Sequence, residues 1–520
     1  MRLSTTSLDW ALEHATKYGY VEFFPSAFEF DAMRHDWSNI RSWLSTTDLF
    51  QWQTRALRRC LSPKHRYGFR ISTQLDPVDF LIYSALIYEI GTDLEHRRIP
   101  TTSETVHSYR FNPQPDGTMF DQNFTFDTFI HKAERIADEG GFSHVIVADI
   151  ADFFPRLYSH RIENALSHAT SLASHVSILK RLLSQWNERY SYGIPVGIAA
   201  SRLIAEIALD DVDQALLSEG VTYVRYCDDF RIFCNSEREA HHRLSFLAEI
   251  LFENHGLTLQ QNKTKIIGVE DFLENHLRSE RRATLSSLSE RFEMIIRDAG
   301  IDLYSDIVLE DLTFEQREQI DNMDLEDILR EQASKDDIDI SLTRFILRRL
   351  GQLDATAELV FVLDNADKFY PVFTDVVRMA KSVRSLNESA RSEIGSKFLA
   401  LLGNDAIVSH LEFHRMWILN LFSENTEWDN ETRLPTLFGQ FTDQFSQREL
   451  ILSMGRAHHE HWFRARKRTV FDFNPWMRRA LLAAGSCLPK DERTHWFRSL
   501  ERRLDPLELA VVKWAQANPF

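Results

Sequence analysis

The sequence predicts an α+β unit followed by an all-α helical repeat, and three observations predict it. Tyr223 to Phe233 reads YVRYCDDFRIF, with apolar or aromatic residues on both sides of Cys227, Asp228 and Asp229. Two extended runs meeting at a pair of acids read as a β-hairpin tipped by carboxylates. About 80 residues upstream, His144 to Asp149 (HVIVAD) is a short β-branched strand that ends in an acid. Beyond about residue 270, glycine is scarce, strand alternation is absent, and apolar residues recur at helical spacing.

A chain of 520 residues exceeds one compact domain. Four cysteines (Cys60, Cys227, Cys234, Cys487) without CxxC spacing argue against a zinc ribbon or a disulfide framework and for a reducing compartment. No run approaches 18 apolar residues and no signal-like stretch follows Met1, so the expectation is a cytoplasmic protein with no membrane partner. The net charge of −17 is unusual for a protein that meets nucleic acid, but residues 301–340 hold 14 acids and three bases, leaving −6 for the rest.

In chain order, the first 60 residues read as amphipathic helices, with Trp37, Ile40, Trp43 and Leu44 on one face. Lys64, Arg66 and Arg70 form a basic cluster. A helix follows, with Asp76 as N-cap, Pro77 at its first position and Gly91 just past its end. Residues 107–121, with two prolines and a glycine, read as a loop or hairpin offering Arg110 to backbone phosphate. Phe126, Phe129, Ile130, Ala133, Ile136 and Ala137 mark a helix face beneath the sheet, and Ala200, Leu203, Ile204, Ile207 and Ala208 mark another behind the Gly193 to Gly197 turn. In the C-terminal half, the run from His458 to Arg468 is basic and aromatic. It reads either as a solvated helix face or as a nucleic-acid contact through Arg464, Arg466, Lys467 and Arg468 with Trp462 as a stacking surface. A metal site built from its histidines is disfavoured, because adjacent helical residues point different ways.

Two adjacent acids on a half-buried turn repel each other unless a cation lies against them. A strand ending in Asp149 beside a hairpin tipped by Asp228 would bring the carboxylates to one pair of ions, and two Mg²⁺ about 4 Å apart can clamp the oxygens of a phosphoryl transfer. At these residues the sequence resembles reverse transcriptases. Asp149 with Ile150 and Phe153–Phe154 is similar to their first catalytic motif, Tyr226 to Asp229 to their YxDD box, Gly193 to Gly197 to their GxPxG turn, and Gly256 to Leu259 with Asn262 to Thr264 to their later strand and lysine motif.

The resemblance implies fingers and a right-hand palm in residues 1–270, an acidic helical linker region over 271–340 and a HEAT-like α-helical repeat over 341–520. It implies two Mg²⁺ ions held by Asp149, Ile150, Asp228 and Asp229, and dNTP substrates. Arg70, Asp152, Phe153, Phe154, Pro195 and Gly197 would lie at the nucleotide, with Phe154 as a steric gate. Lys263 would be the general acid for departing pyrophosphate, a role that a lowered lysine pKa would serve. Tyr226 and Arg110 would contact nucleic acid. Val196 departs from the glutamine that many relatives carry after the proline, so template handling is expected to differ.

The phrases from Val196 to Asp213 and from Arg225 to Phe233 resemble the bacterial abortive-infection and defence-associated reverse transcriptases more closely than retron or intron enzymes. That group implies antiphage function, homo-oligomers, and DNA synthesis that is either untemplated and protein-primed or dependent on a partner RNA. Nucleic acid, as RNA template, partner RNA or DNA product, is the expected partner. If priming is from the protein, Tyr304 and Tyr370 are the candidate tyrosines of the C-terminal half, with serine, threonine or an N-terminal tyrosine such as Tyr18 or Tyr20 as alternatives. Two other readings stand beside this one: a templated retron- or mobile-element-type enzyme, and a non-catalytic RNA-binding scaffold on a polymerase fold.

Overall fold

The computed structural model describes residues 1–18, 23–188, 190–277, 313, 315, 325–384, 386–403, 406–428 and 432–520. The chain divides into two compact units, Met1–Arg59 with Ser72–Arg278, and Cys60–Ile71 with Ser279–Phe520. The tip of the first hairpin, β1 (Arg58–His65) and β2 (Gly68–Gln74), therefore groups with the second unit rather than with the 1–270 domain expected from sequence.

In the first unit the expected α+β palm is present. Four strands, β3 (His144–Asp149), β4 (Thr222–Tyr226), β5 (Asp229–Cys234) and β6 (Lys265–Gly268), form one sheet in the order β4-β5-β3-β6. All three pairings are antiparallel. β4 and β5 are the expected hairpin, and the register of β3 against β5 sets Asp149 opposite Asp229. One face of the sheet rests on helix Phe126–Glu139, where Phe129, Ile130, Ala133 and Ala137 meet Val145, Val147, Val224 and Phe233 in one core cluster. Burial of such side chains stabilises by roughly 1.5–3 kcal/mol each. Residues 257–259 make an isolated bridge, Ile150 with Leu259, instead of the full strand expected there.

Helix Pro77–Arg97 starts where the sequence places it, with the Asp76 carboxylate accepting from Val78 N at 3.1 Å. Its end is a correction: the helix runs through Gly91 to Arg97. Gly91 serves close packing instead of termination, since a Cβ there would lie 2.3 Å from Phe111 Cζ. Helix Trp37–Thr46 buries Ile40 and Leu44, as its spacing predicts.

Apart from the tip of the β1–β2 hairpin, the described residues of the second unit are mainly helical. Helices Ile340–Gln352, Phe373–Ser382, Glu412–Glu424, Gln444–Arg456, Pro475–Ala484 and Pro506–Ala517 pack each on the next, and their first residues recur every 31 to 39 positions. The repeat is thus present in space while its variable spacing hides any fixed period from sequence. In the acidic 301–340 stretch, a helix at Leu325–Ser334 is described. Cys60, Cys227, Cys234 and Cys487 are buried, and none of them forms a disulfide. Among the described residues no helix is long and apolar enough to cross a membrane.

Candidate active site

The end of β3 and the β4–β5 turn carry the acids. Cys227 occupies the left-handed region (φ 56°), a conformation that costs a non-glycine residue roughly 1–3 kcal/mol and must be held from outside. It is held at both ends. Its N–H donates to Ser108 Oγ at 2.8 Å, and its carbonyl accepts from Arg225 Nη1 at 2.8 Å. Ser108 Oγ donates to Glu206 Oε1 at 2.6 Å, and Arg225 Nη1 lies 3.1 Å from Glu206 Oε2. Arg98 closes the network, 2.7 Å from Glu206 Oε2, and Arg225 also grips the Asp213 carboxylate through Nε at 2.9 Å. All of these side chains are buried.

The turn is locked to β3 as well, because Ile150 N donates to the Asp228 carbonyl at 3.0 Å. The segment after Gly256 then runs along the end of β3. Ala151 N bonds the Thr258 carbonyl at 2.8 Å, and Gln260 N bonds the Asp149 carbonyl at 2.7 Å. This brings Lys263 Nζ to 2.6 Å from Asp149 Oδ2. Asp229 is gripped by both terminal nitrogens of Arg231, whose guanidinium lies over the Phe129 ring, 5.2 Å from its centroid.

Asp228 is pushed up to about 6, first by burial and then by the charges of Asp149 and Asp229. Burial disfavours the charged form, and the neighbouring carboxylates add to that even though Lys263 pairs with Asp149 and Arg231 with Asp229. Burial draws Lys263 down, but its bond to Asp149 and the charges of all three acids outweigh that and raise it above the usual lysine range. A lowered pKa would have suited Lys263 as a general acid; the fold raises it instead and pairs it with Asp149. Among the described residues no group of three or more His, Cys, Asp or Glu is arranged to hold a metal ion. The donor set, carboxylates crowded enough to lift Asp228, nevertheless has the chemistry of a hard-cation site.

The nucleotide-side residues fall as follows. Asp152 is exposed, in the left-handed region at φ 48°. Phe153 is buried, and Phe154 is half-buried with the two rings edge to face at 5.5 Å. The Gly193 to Gly197 segment lies against them: Ile194 N bonds the Phe154 carbonyl at 3.1 Å, and a Cβ on Gly193 would stand 3.0 Å from the Pro155 carbonyl oxygen. Pro195 is buried and Gly197 half-buried at φ 94°. Tyr226 is half-buried in an aromatic group with Tyr109, Phe126 and Phe129. Arg70 lies half-buried on β2, within the residues that group with the second unit.

Several expectations are corrected. Arg110 is buried and ion-paired to Glu95 at 3.1 Å, so it is not open to backbone phosphate. Trp462 is buried against Phe438 and Phe463 with Arg466 over its ring at 4.0 Å, which removes it as a stacking surface for a base. Arg464 is engaged by Glu460 (2.6 Å) and Glu492 (2.9 Å), and Lys467 by Glu492 (2.7 Å), while Arg468 is exposed. Tyr370 is buried with its hydroxyl on the Arg66 carbonyl, which disfavours a priming role. Tyr304 and Tyr20 lie outside the described residues; Tyr18 is exposed, its hydroxyl on Thr118. The Ser108, Glu206, Arg225 and Arg98 network was missed. Its one trace in sequence is charge on apolar faces, Glu206 between Ala205 and Ile207 and Arg225 between Val224 and Tyr226.

Residues 96–282 match the family model described as reverse transcriptase (RNA-dependent DNA polymerase). No curated protein matches the chain. Among solved structures, the chain is similar to the telomerase of Candida albicans in complex with a TWJ fragment of telomeric RNA, at 11% identity and TM-score 0.29. It is also similar to the telomerase of Candida tropicalis in complex with such a fragment, at 13% identity and TM-score 0.33. Each likeness covers 66% of this chain and 64% of the telomerase chain, so this protein spans less than two thirds of their length.

Proposed function

We propose that this chain, in which residues 96–282 make a reverse transcriptase-type polymerase domain, is an Mg²⁺-dependent DNA nucleotidyltransferase. The observation that carries the reading is the fixed juxtaposition of Asp149, Asp228 and Asp229, with Asp228 raised to about 6 by burial and then by the charges of the other two. A turn so strained and so charged, held by a buried network, costs stability that a structural role does not require.

Asp149 and Asp228, with Asp229 and the Ile150 carbonyl beside them, would hold the ions. Bound Mg²⁺ would supply charge neutralisation for the triphosphate and activation of the attacking hydroxyl. The protein's own residues do the rest. The Cys227 turn fixes where the Asp228 carboxylate points, and Arg231 holds Asp229. Phe154, half-buried beside Phe153, would exclude a ribose 2′-hydroxyl by volume. Lys263 would place positive charge beside Asp149, in reach of a departing pyrophosphate. The sequence phrases around Val196 to Asp213 and Arg225 to Phe233, and the helical second unit, support an antiphage, abortive-infection role with RNA or DNA as partner.

A second reading, a binding scaffold without chemistry, draws support from the Lys263–Asp149 and Arg231–Asp229 pairs, which neutralise two of the acids without a metal. Incubation of purified protein with Mg²⁺ and labelled dNTPs separates the readings. Label that grows into DNA without added nucleic acid, in a product shifted by protease, supports untemplated, protein-primed synthesis. Label only when cellular RNA is supplied supports a templated enzyme with an RNA partner. A folded protein that incorporates nothing in either case overturns the polymerase reading.

A further inference from the structure

One segment of the second unit carries charge opposite in sign to that of its chain. Residues 464–503 hold 11 Lys and Arg against four acids, in a protein whose net charge is −17. Three of these cations, Lys467, Arg468 and Arg503, line an open cavity of about 490 Å³ together with His495 and Glu492. Small-ligand sites typically fall at about 300–1,000 Å³.

The cations at this cavity are arranged unequally. Lys467 is shared with Glu492, which is also engaged by Arg464 at 2.9 Å, so the acid at the cavity is already neutralised. Arg468, His495 and Arg503 are exposed and make no ion pair among the described residues. Arg503 is nonetheless positioned, since its guanidinium carbon lies over the Phe471 ring, 3.6 Å from the centroid. A guanidinium held by an aromatic ring keeps its N–H donors for other partners, and that fork of donors suits phosphate oxygens. Holding that side chain in advance removes part of the ordering cost of binding.

We propose that this cavity binds the phosphate groups of a nucleotide, free or within a single strand, through Arg503 and Arg468 with His495 and Lys467 at its edge. The proposal rests on the polymerase reading only for the choice of nucleotides among phosphate esters. It is distinct from the acid site, which lies in the other unit.

The test uses the full chain in EDTA, where metal-dependent dNTP binding is suppressed, and follows the anisotropy of a 5′-labelled oligothymidylate at several salt concentrations, with dATP and inorganic phosphate as competitors. Arg468→Ala/Arg503→Ala is expected to weaken binding by about tenfold or more and to reduce the salt slope by about 1.4, two contacts at about 0.7 each on a single strand. Arg468→Glu, at an exposed position that tolerates substitution, should weaken it comparably with an unchanged circular dichroism spectrum. Asp228→Asn should bind as the parent does, so failure of the polymerase reading leaves this measurement intact. Competition by dATP identifies a free nucleotide as ligand; competition only by unlabelled oligonucleotide identifies a strand. Parent-like affinity in both arginine variants, or no binding of any phosphate ligand by the parent, overturns the proposal.

Discussion

The Cys227 N–H donates to Ser108 Oγ at 2.8 Å, across 119 positions of sequence, and through that hydroxyl a left-handed residue next to Asp228 is tied to Glu206. Ser108→Ala removes the acceptor and leaves a buried N–H unpaired, a loss of roughly 1–3 kcal/mol. If the bond positions Asp228, kcat for dNTP incorporation should fall about tenfold or more while KM for dNTP stays within about twofold. Ser108→Thr, which keeps the hydroxyl, should restore most of the rate. An equal fall in both variants would mean a packing role alone.

Gly91 gives a prediction whose sign opposes helix propensity. In a helix interior, Gly to Ala ordinarily stabilises by about 1 kcal/mol. Here the added Cβ would meet Phe111 Cζ at 2.3 Å, so Gly91→Ala should lower Tm. Thermal unfolding of Gly91→Ala and of Gly91→Ala/Phe111→Leu checks this, the second change being expected to recover part of the loss.

Two buried histidines set an acid limit on stability. Burial lowers His14 to about 4 and His414 to about 3, the latter among the rings of Tyr370, Phe373 and Phe413. Above the ordinary value of 6.5 both states are neutral, so neither residue matters. Below it the unfolded chain takes up protons that the folded chain refuses, and stability falls with pH until the folded values are reached. At pH 5 each costs about 2 kcal/mol. His414→Phe should therefore leave Tm nearly unchanged at pH 7.5 and raise it relative to the parent at pH 5, as scanning calorimetry at both pH values can check.

Much of this site was legible because its chemistry is local in sequence. Asp149 ends a six-residue strand, and Asp228 tips a hairpin whose apolar flanks announce both strands. The helix stripe from Ala200 to Ala208 was legible for the same reason, as a single-element periodicity. What failed was long-range. Nothing near Arg110 shows that Glu95 and the Ile99 carbonyl will bury it, and nothing near Gly91 shows that Phe111 will cross it. For Lys263, read as candidate general acid, the direction of its pKa shift was not legible, since only the fold brings Asp149 to 2.6 Å and raises it.

The central claim is that the carboxylate of Asp228 serves chemistry rather than folding, and Asp228→Asn tests it most directly. The substitution removes one of three mutually repelling charges at nearly constant volume. Tm and Mg²⁺-dependent incorporation of labelled dNTP should be measured on the same preparation. The account predicts incorporation reduced by about a thousandfold or more, with Tm equal to or above that of the parent. Parent-level incorporation by a folded Asp228→Asn protein would contradict it.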